Sequence, residues 1–172
     1  MNAIKNKFGF TLIELLIVVA IIAVLAGAVF VAFNPLKRFQ DSRNARRSSD
    51  VTEILSSLKD DQVDRGGQYL PAVNGLTNGT MYMIGTDVTA CNAYNANCIT
   101  DVTGLADCVS LAQLVTDGYL GAVPISPNGA GTWTAGHTGY TAQKSSAGNV
   151  TIRACEAEGG ANHGVTGAGI GC

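Results

Sequence analysis

The residues from Leu15 to Phe33 carry no charge and only one glycine, Gly27. That run is 19 residues long, close to the ~20 that a helix needs to cross a bilayer. A helix buried inside a soluble domain normally shows a polar stripe, and none is present here. The run therefore predicts a membrane segment. It begins directly after an acid, Glu14, and is preceded by the short basic stretch "MNAIKNKFG" with Lys5 and Lys7.

The rest of the 172-residue chain is large enough for one modest domain. Only 14% of residues are charged, against a typical ~25%. The formal net charge of −2 gives no global electrostatic footprint for nucleic acid or anionic lipid. Beyond the apolar run, Phe39, Val51, Ile54, Leu55, Leu58 and Val63 follow helical spacing among charged residues, most cleanly from Val51 to Leu58. Pro35 supplies no amide and is expected to kink the helix. Gly66-Gly67 are expected to cap its end. One helix from Phe10 to Asp64 would be roughly 80 Å long, far more than a small domain needs to cover its core.

Residues 68–104 read as Asn-, Thr- and Gly-rich loop with a strand-like patch, "TMYMIGT", at 80–86. The sequence "ADCVSLAQLVTDGY" predicts a short helix with Leu111, Leu114 and Val115 on one face and Gly118 at its stop. "TGYTAQKSSAGNVTIRACE" predicts a β-hairpin turning at Ser145 to Asn149. The final stretch, "GGANHGVTGAGIGC", is too rich in glycine to hold firm structure unless Cys172 is tied down.

All five cysteines lie in the second half: Cys91, Cys98, Cys108, Cys155 and Cys172. If the apolar run delivers this half outside the cytoplasm, they can form disulfides, and the odd count leaves at least one free or paired between chains. A zinc site is disfavoured, because there is no C-x-x-C pair and the only histidines are His137 and His163.

Glu14 admits three readings. As a plain anchor, its carboxylate snorkels into the headgroups from the end of the span. As a secretory signal, cleavage falls near "AGA" at 26–28, but the apolar run continues past that site. In the third reading a protease cuts between Gly9 and Phe10. The new amine on Phe10, its own or a neighbouring chain's, then partners the Glu14 carboxylate, which acts as a register device.

"KFGFTLIELLIVVAIIAVLA" resembles the N-terminus of type IV prepilins and the related type II secretion pseudopilins. The resemblance strictly covers residues 3 to about 33. It implies that Lys5 and Lys7 supply the leader charge and that a membrane prepilin peptidase cuts after Gly9 and N-methylates Phe10. It also implies that Glu14 recruits the subunit into a filament. One departure is that pilins usually place a kinking proline within the apolar segment, about a turn earlier than Pro35.

Other constellations weigh less. Lys37, Arg38, Arg43, Arg46 and Arg47 form a basic cluster beyond the span. Charge counting would place it inside, whereas the prepilin resemblance implies the N-terminus inside. A solvated face, acids on adjacent subunits, anionic headgroups, wall polymer and DNA are its candidate partners. No G-x-S-x-G, H-E-x-x-H or phosphate-binding glycine loop is present. Major pseudopilins bind calcium in a C-terminal loop, but "PISPNGAG" has no carboxylate. The sequons at Asn78 and Asn149 are short patterns expected by chance in this composition. The expected disulfides are Cys91–Cys98, closing the loop "CNAYNANC", and Cys108–Cys155, with Cys155–Cys172 as the rival pairing.

The resulting expectation is an α+β, pilin-like chain. A leader (1–9) precedes a transmembrane and filament-core helix (10–33), its amphipathic continuation (34–66) and a globular head on a small antiparallel sheet (67–172). The expected role is a non-enzymatic subunit of a type IV pilus-like filament, with no cofactor or metal. Expected partners are other pilin subunits, the prepilin peptidase, the inner-membrane assembly machinery and, before assembly, lipid. Nucleic acid is possible without support in the residues. The subunit would cross the cytoplasmic membrane once and later reside in an extracellular pilus. The alternatives are a type II secretion pseudopilin, a membrane-anchored binding domain that never polymerises, and a secreted domain cut near Ala28.

Overall fold

The computed structural model describes residues 9–89, 91, 93, 98, 107–159 and 166–168. Helix α1 spans Leu12–Phe33 and α2 spans Pro35–Asp64. The chain then forms the short helix α3 (Pro71–Asn74), strand β1 (Met81–Met83), helix α4 (Ala112–Thr116) and strands β2 (Tyr140–Lys144), β3 (Val150–Ala154) and β4 (Thr166–Ala168). The fold is α+β, as the sequence predicts. Its contacts divide it into two units, Met1–Phe39 and Gln40–Cys172.

Within the first unit, the single helix expected from Phe10 to Asp64 is divided at Asn34. The residue before a proline is pushed out of the right-handed helical region, and Asn34 takes a left-handed conformation with φ 37°, which asparagine tolerates better than most residues. Asn34 also restarts the helix, because its Oδ1 accepts from the Lys37 amide at 3.4 Å. Pro35 occupies the first helical position, where a missing amide costs nothing. The interruption thus belongs to the Asn34-Pro35 pair. The far end of α2 closes as anticipated. Gly66 (φ 67°) donates to the Val63 carbonyl, and Gly67 (φ 93°) donates to that of Gln62, the paired bonds of a Schellman cap.

In the second unit, Val51, Ile54, Leu55 and Leu58 of α2 join one core with Tyr140, Ala142, Val150 and Ile152 of the sheet. Each of the Val, Leu and Ile side chains contributes about 1.5–3 kcal/mol when fully buried. The expected face was too long, however: Phe39 is 64% exposed and Val63 75%. Arg47, Asp50 and Asp61 are buried in the same helix.

The sheet is antiparallel with the order β1-β2-β3-β4. The hairpin is where it was expected, with Tyr140 opposite Ala154 and Lys144 opposite Val150. Its turn is closed by Ser145–Asn149 and Gly148–Ser145 backbone bonds, with Gly148 at φ 82°. Two elements depart from expectation. Strand β4 lies in the glycine-rich tail, opposite Thr151 to Arg153. A ladder is made by backbone groups, so an existing edge can order a segment with few side chains. Helix α3, opened by Pro71, falls in a stretch expected to be loop.

Candidate processing and assembly site

The N-terminal motif is built around the start of α1. Thr11 is the N-cap, with extended backbone at φ −81° and ψ 153°. Glu14 reaches back so that its Oε2 accepts from the Thr11 amide and hydroxyl, each at 2.9 Å, while the Glu14 amide donates to Thr11 Oγ1 at 3.3 Å. This is a capping box, which satisfies two backbone donors that a helix start otherwise leaves open. The signal was present in the sequence as T-x-x-E before an apolar run, and Thr11 is the residue that sequence reasoning missed.

The box supplies Glu14 with partners from its own chain and sets an acid at the positive end of the helix dipole. It also holds the carboxylate against the Thr11 amide, one residue from the Phe10 nitrogen. Phe10 is exposed, and a Cβ built on Gly9 would meet nothing within 4 Å. No described neighbour therefore requires glycine at position 9. Lys5 and Lys7 lie outside the described residues.

Helix α1 buries none of its side chains. Beyond Glu14 it is apolar on every side, and it is long and apolar enough to cross a membrane. In water such a surface is unfavourable by the full transfer energy of its side chains, so the helix needs lipid or other apolar helices around it.

The basic cluster separates into distinct environments. Arg47 is fully buried and donates to Ser126 Oγ (3.1 Å), Asn44 Oδ1 (2.9 Å), the Pro127 carbonyl (2.8 Å), Glu156 Oε2 (2.9 Å) and Glu158 Oε1 (2.9 Å). Arg43 forms a two-pronged pair with Glu158. Hydrogen bonds from Arg43 and, secondarily, Arg47 hold the Glu158 carboxyl below its ordinary range, against a smaller upward push from burial. Arg46 lies 3.8 Å from Asp50 and is largely exposed. Lys37 and Arg38 are exposed.

The Arg47 network accounts for the "PISPNGAG" loop. A buried guanidinium takes the Ser126 hydroxyl and the Pro127 carbonyl, and Glu156 accepts from the Gly131 amide. The loop is thus ordered by a cation built into α2. Among the described residues no cluster of three or more His, Cys, Asp or Glu could hold a metal ion. His137 pairs through Nδ1 with Asp87 Oδ2 at 2.7 Å, a partner invisible in its glycine-rich sequence; His163 lies outside the described residues. A groove of about 650 Å³ runs between Lys59–Gln68 and the hairpin turn, and it is lined by two lysines and no carboxylate.

The four expected cysteines do pair, but with different connectivity: Cys91–Cys108 and Cys98–Cys155. The reason is a non-local contact. Ile84 and Val109 form a parallel bridge, and the Cys108 amide donates to the Asp87 carbonyl at 2.9 Å. Cys108 is thereby held beside the chain leaving β1, which leads directly to Cys91. Cys98 then joins Cys155 at the end of β3. Cys172 lies outside the described residues.

Residues 4–30 match the family described as the prokaryotic N-terminal methylation motif. The chain therefore carries the class III signal peptide of type IV pilins, followed by a long apolar helix. That motif supports a precursor of the type IV pilin and pseudopilin kind, processed by prepilin peptidase. No curated protein and no solved structure matches the chain.

Proposed function

We propose that the chain is a structural subunit of a type IV pilus-like filament. Prepilin peptidase removes residues 1–9 and N-methylates Phe10. The subunit waits in the cytoplasmic membrane with its N-terminus inside and its head outside, then leaves the bilayer for a filament core of packed α1 helices. The region 34–66 links that core to the head at 67–172, which covers the filament surface. Partners are further pilin subunits and the assembly machinery. In this role Glu14 exchanges the Thr11 contacts of its capping box for the methylated amine of Phe10, its own or a neighbour's. The observation that supports this reading most is the methylation motif set directly on a helix with no buried side chain.

The mature N-terminus tests it. Mass spectrometry of the protein from its native cell envelope should find a chain beginning at N-methylated Phe10. An intact Met1 would leave a simple anchor, and a start near Val29 would leave a secreted head. Either result rejects the proposal.

A further inference from the structure

We propose that Phe33–Phe39 is a headgroup anchor that binds anionic phospholipid at the C-terminal end of α1 while the subunit waits in the membrane. This rests on the membrane-spanning reading of α1 and assigns a role to the segment that follows it.

Length is the first support. The 22 residues of α1 span ~33 Å at 1.5 Å each, against a hydrocarbon core of ~30 Å. With α1 filling the core, Asn34 and the first turn of α2 arrive at headgroup depth. There the helix is interrupted and restarted by Asn34 and Pro35. The exposed carbonyls of a broken helix are tolerated at a wet interface and not in hydrocarbon.

The side chains match that depth. Leu36 and Phe39 are three residues apart and so share a face; each is 64% exposed and neither belongs to a core cluster. Between them stand Lys37 and Arg38. Among the described residues neither makes an ion pair, although Asp41 is only one turn away. One and two turns beyond Phe39, Arg43 and Arg47 are occupied by Glu158 and Glu156. The Arg38 guanidinium stands 5.9 Å from the centre of the Phe33 ring, an aromatic-basic pairing suited to the membrane interface.

The contacts of the chain agree. Residues up to Phe39 group with the apolar helix, and those from Gln40 group with the head. Exposed apolar side chains continuous with a membrane span favour lipid over a soluble acidic partner. Unpaired cations among them favour anionic headgroups over zwitterionic ones.

The test uses the full chain reconstituted in vesicles of equal parts phosphatidylglycerol and phosphatidylcholine. Flotation reports insertion, and native mass spectrometry after gentle extraction reports which lipid stays bound. Each cation near an anionic surface is expected to contribute about fivefold. Wild type should therefore retain phosphatidylglycerol with a preference of roughly 25-fold, and the Lys37→Gln/Arg38→Gln variant should fall to near parity. Lys59→Gln, a control in the head, should keep the preference. A chain that floats but retains both lipids equally overturns the anchor and leaves the membrane reading intact. So does a preference that survives the double substitution. A chain that does not float overturns both.

Discussion

At the scale of single residues, the head is organised by charge placed where sequence periodicity expects apolar side chains. Arg47 falls on the buried face of α2 one turn before Val51, and hydrophobic patterning gives no reason to place it inside. Its five acceptors come from near Asn44 and from residues 126–127 and 156–158, and the distant ones could not be read from local sequence. A buried cation is tolerable only with such partners, and removing one partner strands the others without solvent. Glu158 makes the linkage measurable. Its folded pKa is depressed by Arg43 first. Its contribution is therefore fully present above the ordinary value of 4.5 and is lost as pH falls through the lower folded value. The Arg43→Gln variant should be less stable than wild type at neutral pH, with the gap narrowing as pH drops below about 4.5. Unfolding midpoints across pH 3–7 would check this; a gap independent of pH would mean that the pair contributes nothing through Glu158's charge.

At the scale of elements, legibility followed locality. The hairpin, the Gly66-Gly67 cap and the core stripe Val51 to Leu58 were visible because period, turn chemistry and capping act over a few residues. Strand β4 and the disulfide connectivity were not, because both depend on edges and bridges formed by distant segments. The capping box at Thr11 and Glu14 was local and readable, but an acid at the edge of a membrane run invited explanation by outside partners first. Pro35 offers a test at this scale. In Pro35→Ala the amide returns and the steric restriction on Asn34 is lifted. Helical bonding should then continue from α1 into α2, seen as slower hydrogen exchange of the amides at 36 and 37. Unchanged exchange there would place the cause of the interruption in Asn34 alone.

At the scale of the whole molecule, one crosslink closes the connection from β1 to α4 on itself and the other ties it to the end of β3. They join residues 17 and 57 apart, and loops of those lengths correspond to about 3 and 4 kcal/mol in the chain-entropy model. A local Cys91–Cys98 link would enclose a much shorter loop and constrain the unfolded chain less. Non-reducing digestion and peptide mass mapping should recover Cys91 joined to Cys108 and Cys98 joined to Cys155. A peptide joining Cys91 to Cys98 would refute this connectivity. Reduction should lower the unfolding midpoint of the head.

The long-range closures of the head share a consequence for timing. Arg47 waits for Glu156 and Glu158, Cys98 waits for Cys155, and β2 waits for β3 as its partner. A chain that emerges N-terminus first therefore carries an open head, with a buried-type cation still in water, until residue 158 has appeared. Completion comes as one late event in which the β2-β3 hairpin, ion network and crosslink close together, with β4 added to the edge afterwards. Any factor that holds or oxidises the nascent chain has its window before that moment.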